Sequence, residues 1–211
     1  MGRRVLTERW GILGGVFDPV HFAHLTIAEQ TRDALGLDQV VFVPANVPVH
    51  KGPAQVSPDH RLAMLQAATS DNDAFSVSRI EIDDGMSGYT ADTVARLVAQ
   101  TPDCRFVLIL SSESASHLPE WHEPERLLDL AEICVVPRLG YANLPREWLD
   151  AHFPGRIDRF TFVATSILGH SSSNIRARVS AGMSIRYLVP PAVERYIGEH
   201  GLYGADERPE A

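Results

Sequence analysis

The sequence predicts an α/β protein built on a doubly wound, mainly parallel sheet. Three observations carry this expectation. Short runs of apolar and β-branched residues recur along the chain, at Trp10–Leu13, Gln39–Pro44, Arg105–Leu110, Ile133–Arg138 and Phe160–Ala164. They are nearly continuous in apolar character, as in strands covered on both faces. Helically spaced segments separate them, the alternation that a parallel sheet with crossover helices requires. The turn after the first run, Gly14-Gly15, leads into a helical pattern, and open α/β sheets bind ligands at such strand ends.

Composition sets the bounds. With 211 residues and 45% hydrophobic content the chain can bury a real core, and one domain over 1–211 is expected, with 1–9 and 204–211 frayed. A net charge of −8 argues against nucleic-acid or acidic-membrane partners, which want a basic face. A nucleotide ligand would have to be met by few, local cations. Cys104 and Cys134 lie in apolar runs and read as free core thiols of a reducing cytoplasm. No apolar run reaches the ~18 residues of a membrane-spanning helix. A soluble, cytoplasmic protein is therefore the expectation.

Along the chain, Gly14-Gly15 let the backbone turn sharply and approach a ligand, since no Cβ intervenes. Asp18-Pro19 is turn chemistry. His24 falls near the first turn of a helix running to about Leu35, with Gly36 as C-cap. The unpaired N–H groups and positive dipole end of that helix suit an anion such as phosphate. His21 and His24 read equally as structural histidines or zinc ligands, although no HExxH or Cys cluster supplies a third ligand. The turn is neither a GxGxxG nor a Walker loop.

The loop Ala45–Val56 carries His50-Lys51; Lys51 is either a solvated lysine or, beyond a strand's carboxyl end, a ligand cation. Ser57-Pro58-Asp59 opens a helix whose spacing runs through Arg61, Met64, Leu65 and Ala68. Phe75–Ile82 alternates imperfectly and reads as a strand near a sheet edge. Tyr89-Thr90-Ala91-Asp92-Thr93 caps a helix to about Thr101. Ser111-Ser112-Glu113 ends the next strand and opens a Ser/His/Pro loop before Trp121. That tryptophan either tucks into the core or walls a flat ring. Glu125–Leu130 reads as a short helix, Pro145–Ala151 as another. Arg138 at a strand end fits a phosphate or a surface ion pair. The serines of His170-Ser171-Ser172-Ser173-Asn174-Ile175-Arg176 are N-cap chemistry, the reading that spacing alone favours, and they also offer donors to a phosphate.

The segment Gly14-Gly15-Val16-Phe17-Asp18-Pro19-Val20-His21-Phe22-Ala23-His24 resembles the GG-T/S-FDP-x-H-x-GH signature of the HxGH nucleotidyltransferase superfamily. Within it the chain is similar to bacterial nicotinate-nucleotide adenylyltransferases, from about Trp10 to Tyr203. The resemblance implies a Rossmann-like nucleotidyltransferase fold. It also implies transfer of the adenylyl group of ATP to nicotinate mononucleotide, giving deamido-NAD and pyrophosphate, in NAD biosynthesis. On the same ground His21, His24, Lys51 and Arg176 would be catalytic, and Gly14, Gly15, Val16, Phe17, Glu113, Ser171, Ser172 and Ser173 would bind ATP. Thr90, Trp121 and Arg138 would hold the nicotinate nucleotide. Magnesium is expected with the ATP, and no metal ligand is assigned in the chain.

Such a reaction needs no nucleophilic Ser or Cys. The attacking phosphate oxygen is already ionised, so the protein must align two polyanions and stabilise charge on the α-phosphate. The chain departs from the signature at Val16, where Thr or Ser is usual, at Ala23 for Gly, and at Ser111-Ser112-Glu113 for Gly-Ala-Asp. Ser173 stands for Thr, His170 for Ile and Leu139 for Pro. Alternatives are nicotinamide mononucleotide or another phosphorylated acceptor, or a catalytically silent nucleotide-binding paralogue.

Overall fold

In the protein's computed structural model, which describes residues 8–46, 54–83 and 87–207, six strands form one sheet. They are β1 (Glu8–Gly15), β2 (Gln39–Pro44), β3 (Phe75–Val77), β4 (Cys104–Ser111), β5 (Ala131–Val136) and β6 (Phe160–Phe162), in the order β3-β2-β1-β4-β5-β6. Every pairing is parallel. The order reverses between β1 and β4, so the carboxyl ends of these strands, Gly14-Gly15 and Ser111, flank the switch point where such sheets bind ligands.

The helices are α1 (Phe22–Leu35), α2 (Pro58–Thr69), α3 (Thr90–Gln100), α4 (Ser112–Ser116), α5 (Pro124–Leu130), α6 (Arg146–His152), α7 (Ser172–Ser180) and α8 (Pro191–Glu199). Alternating strand residues feed two apolar layers. Leu13, Phe42, Val107 and Cys134 pack with α1, α2, α7 and α8. Ile12, Val41, Leu108 and Ile133 pack with α3, α4, α5 and α6 on the other face. Both cysteines are buried free thiols, and burial pushes Cys104 up to about 11 and Cys134 up to about 12. Among the described residues no helix is long and apolar enough to cross a membrane.

Local signals translate directly. Gly36 caps α1 in the left-handed region (φ 59°), and Ser57 accepts a bond from the His60 N–H before Pro58. Several boundaries differ from expectation; β6, for one, ends at Phe162 and not at Ala164. β1 begins at Glu8, because Arg9 donates to the Leu35 carbonyl and pairs with Glu132. β3 stops at Val77, because after the last ladder bond, Ser78 N–H to Phe42 O, Ser78 Oγ takes the Ile80 N–H and starts a turn. The stretch after Ser111 is a helix and not a loop, capped by Ser111 Oγ on the Ser114 N–H. β5 ends at Val136, which leaves Arg138 just beyond the strand.

Candidate active site

The crevice at the switch point is built from the β1–α1 turn. Gly14 and Gly15 do not adopt the left-handed conformation; Phe17 does, at φ 52°. Gly15 is required for a different reason. A Cβ there would lie 3.0–3.3 Å from the Phe17 ring, whereas a Cβ on Gly14 would meet nothing within 4 Å. Gly14 therefore presents open backbone to the crevice. Phe17 turns its ring into the core, 5.9 Å from Phe42 between centroids and edge-on to His24 at 5.0 Å. With the ring buried, main chain is what Phe17 can offer to a ligand.

A cis bond joins Asp18 to Pro19, and His21 follows as the N-cap of α1. The two imidazoles stack, 3.8 Å between centroids. The His21 N–H donates to His24 Nδ1 at 3.3 Å, so the proton of a neutral His24 ring sits on Nε2. His21 is 3% exposed. Burial, with the His170 ring and the Arg138 guanidinium nearby, pulls its pKa from 6.5 to about 3. It is thus neutral at working pH, and its buried Nδ1 has no partner among the described residues.

The N-terminus of α7 closes on the same turn. Ser171 caps α7 by accepting the Asn174 N–H at 3.2 Å. Ser172 Oγ donates to Pro19 O at 2.9 Å. Arg176 donates to Asp18 O at 2.6 Å and to Ser173 Oγ at 3.2 Å. Residues more than 150 positions apart in sequence thereby share one crevice. His170 stands edge-on to His21 at 6.3 Å. In this structure Ser172 and Arg176 spend hydrogen bonds on holding the turn.

Glu113, at the start of α4, accepts from the Tyr141 hydroxyl at 3.0 Å and pairs with Arg138 at 3.3 Å. Ser112 Oγ accepts the Arg138 N–H. Thr90 opens α3, and its neighbour Tyr89 stacks on His122 at 4.2 Å. Trp121, beside His122, is half-buried against the apolar layer under α3 and α5. Both of its readings, core packing and ring wall, fit that setting. In a parallel sheet every crossover helix begins at the carboxyl edge, so α3 and α4 start on the same side as α1 and α7. Lys51 lies outside the described residues.

Three residues that the sequence reading did not single out organise the site. Arg61 is fully buried, and its guanidinium donates to the carbonyls of Val16 (2.8 Å), Ala45 (2.6 Å) and Asn46 (3.0 Å). It ties the β1 turn to the loop leaving β2. An arginine in the apolar register of a helix was the available signal. Asp18, buried, accepts the Gln55 N–H at 2.7 Å and the Tyr203 hydroxyl at 2.6 Å. No sequence pattern announces that pairing.

A parallel sheet whose order reverses beside β1, with two helix mouths meeting at the β1–α1 turn, one carrying stacked histidines and the other serines and arginine, is an α/β arrangement suited to a phosphorylated ligand. Comparison with known proteins narrows the class. A family profile described as cytidylyltransferase-like matches residues 12–178. A relative from Roseiflexus sp. (strain RS-1), named "Probable nicotinate-nucleotide adenylyltransferase", is 45% identical over 92% of this chain and 96% of its own length. One of the same name from Herpetosiphon aurantiacus is 41% identical over 93% and 98%. The chain belongs to the nicotinate-nucleotide adenylyltransferase family of cytidylyltransferase-like proteins. The fold is also that of a solved Plasmodium falciparum nicotinic acid mononucleotide adenylyltransferase complexed with NaAD, with a TM-score of 0.77, 18% identity, and 93% of this chain and 98% of that chain covered.

Proposed function

We propose that this protein transfers the adenylyl group of ATP to the phosphate of nicotinate mononucleotide, giving deamido-NAD and pyrophosphate. The observation that carries the reading is the closure of the α7 N-terminus onto the turn that bears His21 and His24. A phosphate oxygen of the mononucleotide attacks the α-phosphorus of ATP. The bond from that phosphorus to the bridging oxygen breaks, and pyrophosphate leaves with the electron pair. The protein's work is alignment and charge stabilisation.

His24 donates from Nε2 to an α-phosphate oxygen, its tautomer set by the His21 N–H. His21, buried and neutral, braces that ring and lines the phosphate path. Gly14 and Gly15 offer backbone at close approach, with Val16 and Phe17 contributing main chain only. Ser171, Ser172 and Ser173 present the mouth of α7. Arg176 and Lys51 neutralise attacking and departing phosphates. Arg138 exchanges Glu113 for the mononucleotide phosphate, and Glu113 faces the nucleotide; Thr90 and Trp121 hold the nicotinate ring.

Magnesium fits as a companion of ATP. Asp18, the carboxylate nearest the histidines in sequence, already has its oxygens engaged by Gln55 and Tyr203. No group of three His, Cys, Asp or Glu side chains among the described residues is placed to hold a metal ion. The donors here suit phosphates, which bring the ion with them and on which it supplies charge neutralisation. We also infer one cytoplasmic domain over 1–211, without nucleic-acid or membrane partners.

The test is pyrophosphate release with Mg-ATP and each mononucleotide. Release with nicotinate mononucleotide is expected. Release only with the nicotinamide form would reassign the acceptor, and ATP binding without release with any acceptor would refute catalysis. H24A is expected to lower kcat about 10²-fold or more with folding intact.

A further inference from the structure

At the carboxyl ends of β4 and β5, Ser111 pairs with Val136, so the start of α4 lies beside the chain that leaves β5. That chain folds at once into a tight turn, Arg138 to Tyr141. The Tyr141 N–H closes on Arg138 O at 3.0 Å, and Gly140 takes φ 86°, as the third position of a type II turn requires. Proline presets the position before it in such turns. Here that residue is Leu139, so the turn is held by other means.

The start of α4 holds it. Ser112, fully buried, accepts the Arg138 N–H on Oγ at 3.2 Å. Glu113 accepts the Tyr141 hydroxyl on one carboxylate oxygen at 3.0 Å and faces Arg138 Nε with the other at 3.3 Å. Ser112, Glu113 and Leu139 are three of the departures from the signature, and they fall together here. The two partners of Glu113 are unequal. The Tyr141 hydroxyl makes a hydrogen bond, whereas Arg138 lacks the two-bond fork of the strongest arginine–carboxylate pairs. A phosphate can offer that fork, so Arg138 is the partner that leaves. The Arg138 and Glu113 side chains are 47% and 32% exposed and Tyr141 is 45% exposed, so a ligand reaches all three. The Arg138 charge is also felt at His21, which puts this turn within electrostatic range of the histidine pair.

We propose that Tyr141 is a positioning residue for the acceptor: it keeps hold of Glu113 when the phosphate of nicotinate mononucleotide takes Arg138 from that carboxylate. This rests on the adenylyl-transfer reading, in which Arg138 receives that phosphate. At rest Glu113 has both partners. In the acceptor complex Arg138 serves the phosphate, and Tyr141 is the donor left to Glu113. Loss of the hydroxyl therefore costs more in the complex than at rest, where Arg138 still faces the carboxylate. Tyr141 touches no reacting atom and acts through Glu113.

The experiment uses the full chain as wild type, Y141F, E113A and Y141F/E113A, each first shown to melt like wild type. Affinity for nicotinate mononucleotide is read by calorimetry, and KM for each substrate by initial rates of pyrophosphate release. Y141F should weaken mononucleotide binding and raise its KM about fivefold, a modest loss because water reaches this carboxylate. KM for Mg-ATP should stay within about twofold of wild type. In the E113A background the same change should do nothing, since the group through which Tyr141 acts is gone. Wild-type mononucleotide affinity in Y141F overturns the proposal. A loss that persists in full in E113A also overturns it, making Tyr141 a mere prop of the turn, and so does an equal rise in both KM values. A wild type that binds the mononucleotide without releasing pyrophosphate refutes the adenylyl-transfer reading alone, and the binding cycle still decides Tyr141. A wild type that does not bind it overturns both.

Discussion

Replacing Arg61 by Met removes the guanidinium while keeping most of the side-chain volume. The structure sets the size of the effect. Three carbonyls, of Val16, Ala45 and Asn46, lose their donors in a site with no exposed surface on Arg61. Each stranded carbonyl costs roughly 1–3 kcal/mol if water stays out. Against this, the buried cation no longer has to be desolvated, the same burial that pulls the Arg61 pKa below its ordinary value. Loop relaxation recovers part of the rest. The net loss should be about 2–5 kcal/mol, the cost of the three stranded carbonyls less what relaxation and relieved desolvation recover. For a chain of this length that corresponds to a fall in Tm of roughly 10 °C. Urea unfolding would show a lower midpoint at unchanged slope. R61K should recover little, because a compact ammonium cannot fork to three carbonyls as a guanidinium does. A midpoint for R61M within about 0.5 kcal/mol of wild type would show that the two loops hold together without Arg61.

Other outcomes follow from the same geometry. Gly14→Ala and Gly15→Ala should behave oppositely: the first, with open space for its Cβ, should fold normally yet raise KM for ATP several-fold, whereas the second, against the Phe17 ring, should lose stability. Equal melting temperatures for the two would contradict the packing described. His21 is depressed in the folded state, so the unfolded chain binds the extra proton between pH 6.5 and about 3. Stability from this group is complete above pH 6.5 and is lost as pH falls toward 3, by roughly 4–5 kcal/mol in total. H21N should flatten that part of a stability–pH curve, and an unaltered slope would reassign the acid sensitivity. Tyr203→Phe removes the hydroxyl that donates to Asp18 at 2.6 Å and should cost about 1.5–3 kcal/mol by thermal unfolding; no change would mean that the carboxylate is satisfied without it.

The sheet was legible because its signals are local. Continuous apolar runs such as Gln39–Pro44 have one reading in an α/β alternation, and Gly36, Ser57 and Ser171 cap where short-range chemistry puts them. Strand limits slipped where a long-range partner extends them, as at Arg9 with Glu132, or where a side chain ends them by a turn of its own, as Ser78 Oγ does on the Ile80 N–H. In the candidate site the motif residues were visible as types at a spacing, and their convergence followed from strand order. Their present partners were not visible. Nothing in the sequence tells whether Arg176 faces a ligand or the Asp18 carbonyl, or that Glu113 is occupied by Arg138 and Tyr141. The supports Arg61 and Tyr203 were harder still, because their contacts span long stretches of chain and leave no periodic mark.

The bond between Tyr203 and Asp18 joins positions 185 apart. A nascent fragment ending before Tyr203 would already own both histidines and all six strands, yet its phosphate-facing bend would lack one of its fastenings. Competence should therefore arrive late in synthesis, after the sheet is complete, and a protease nick ahead of Tyr203 should silence the enzyme while leaving its scaffold standing.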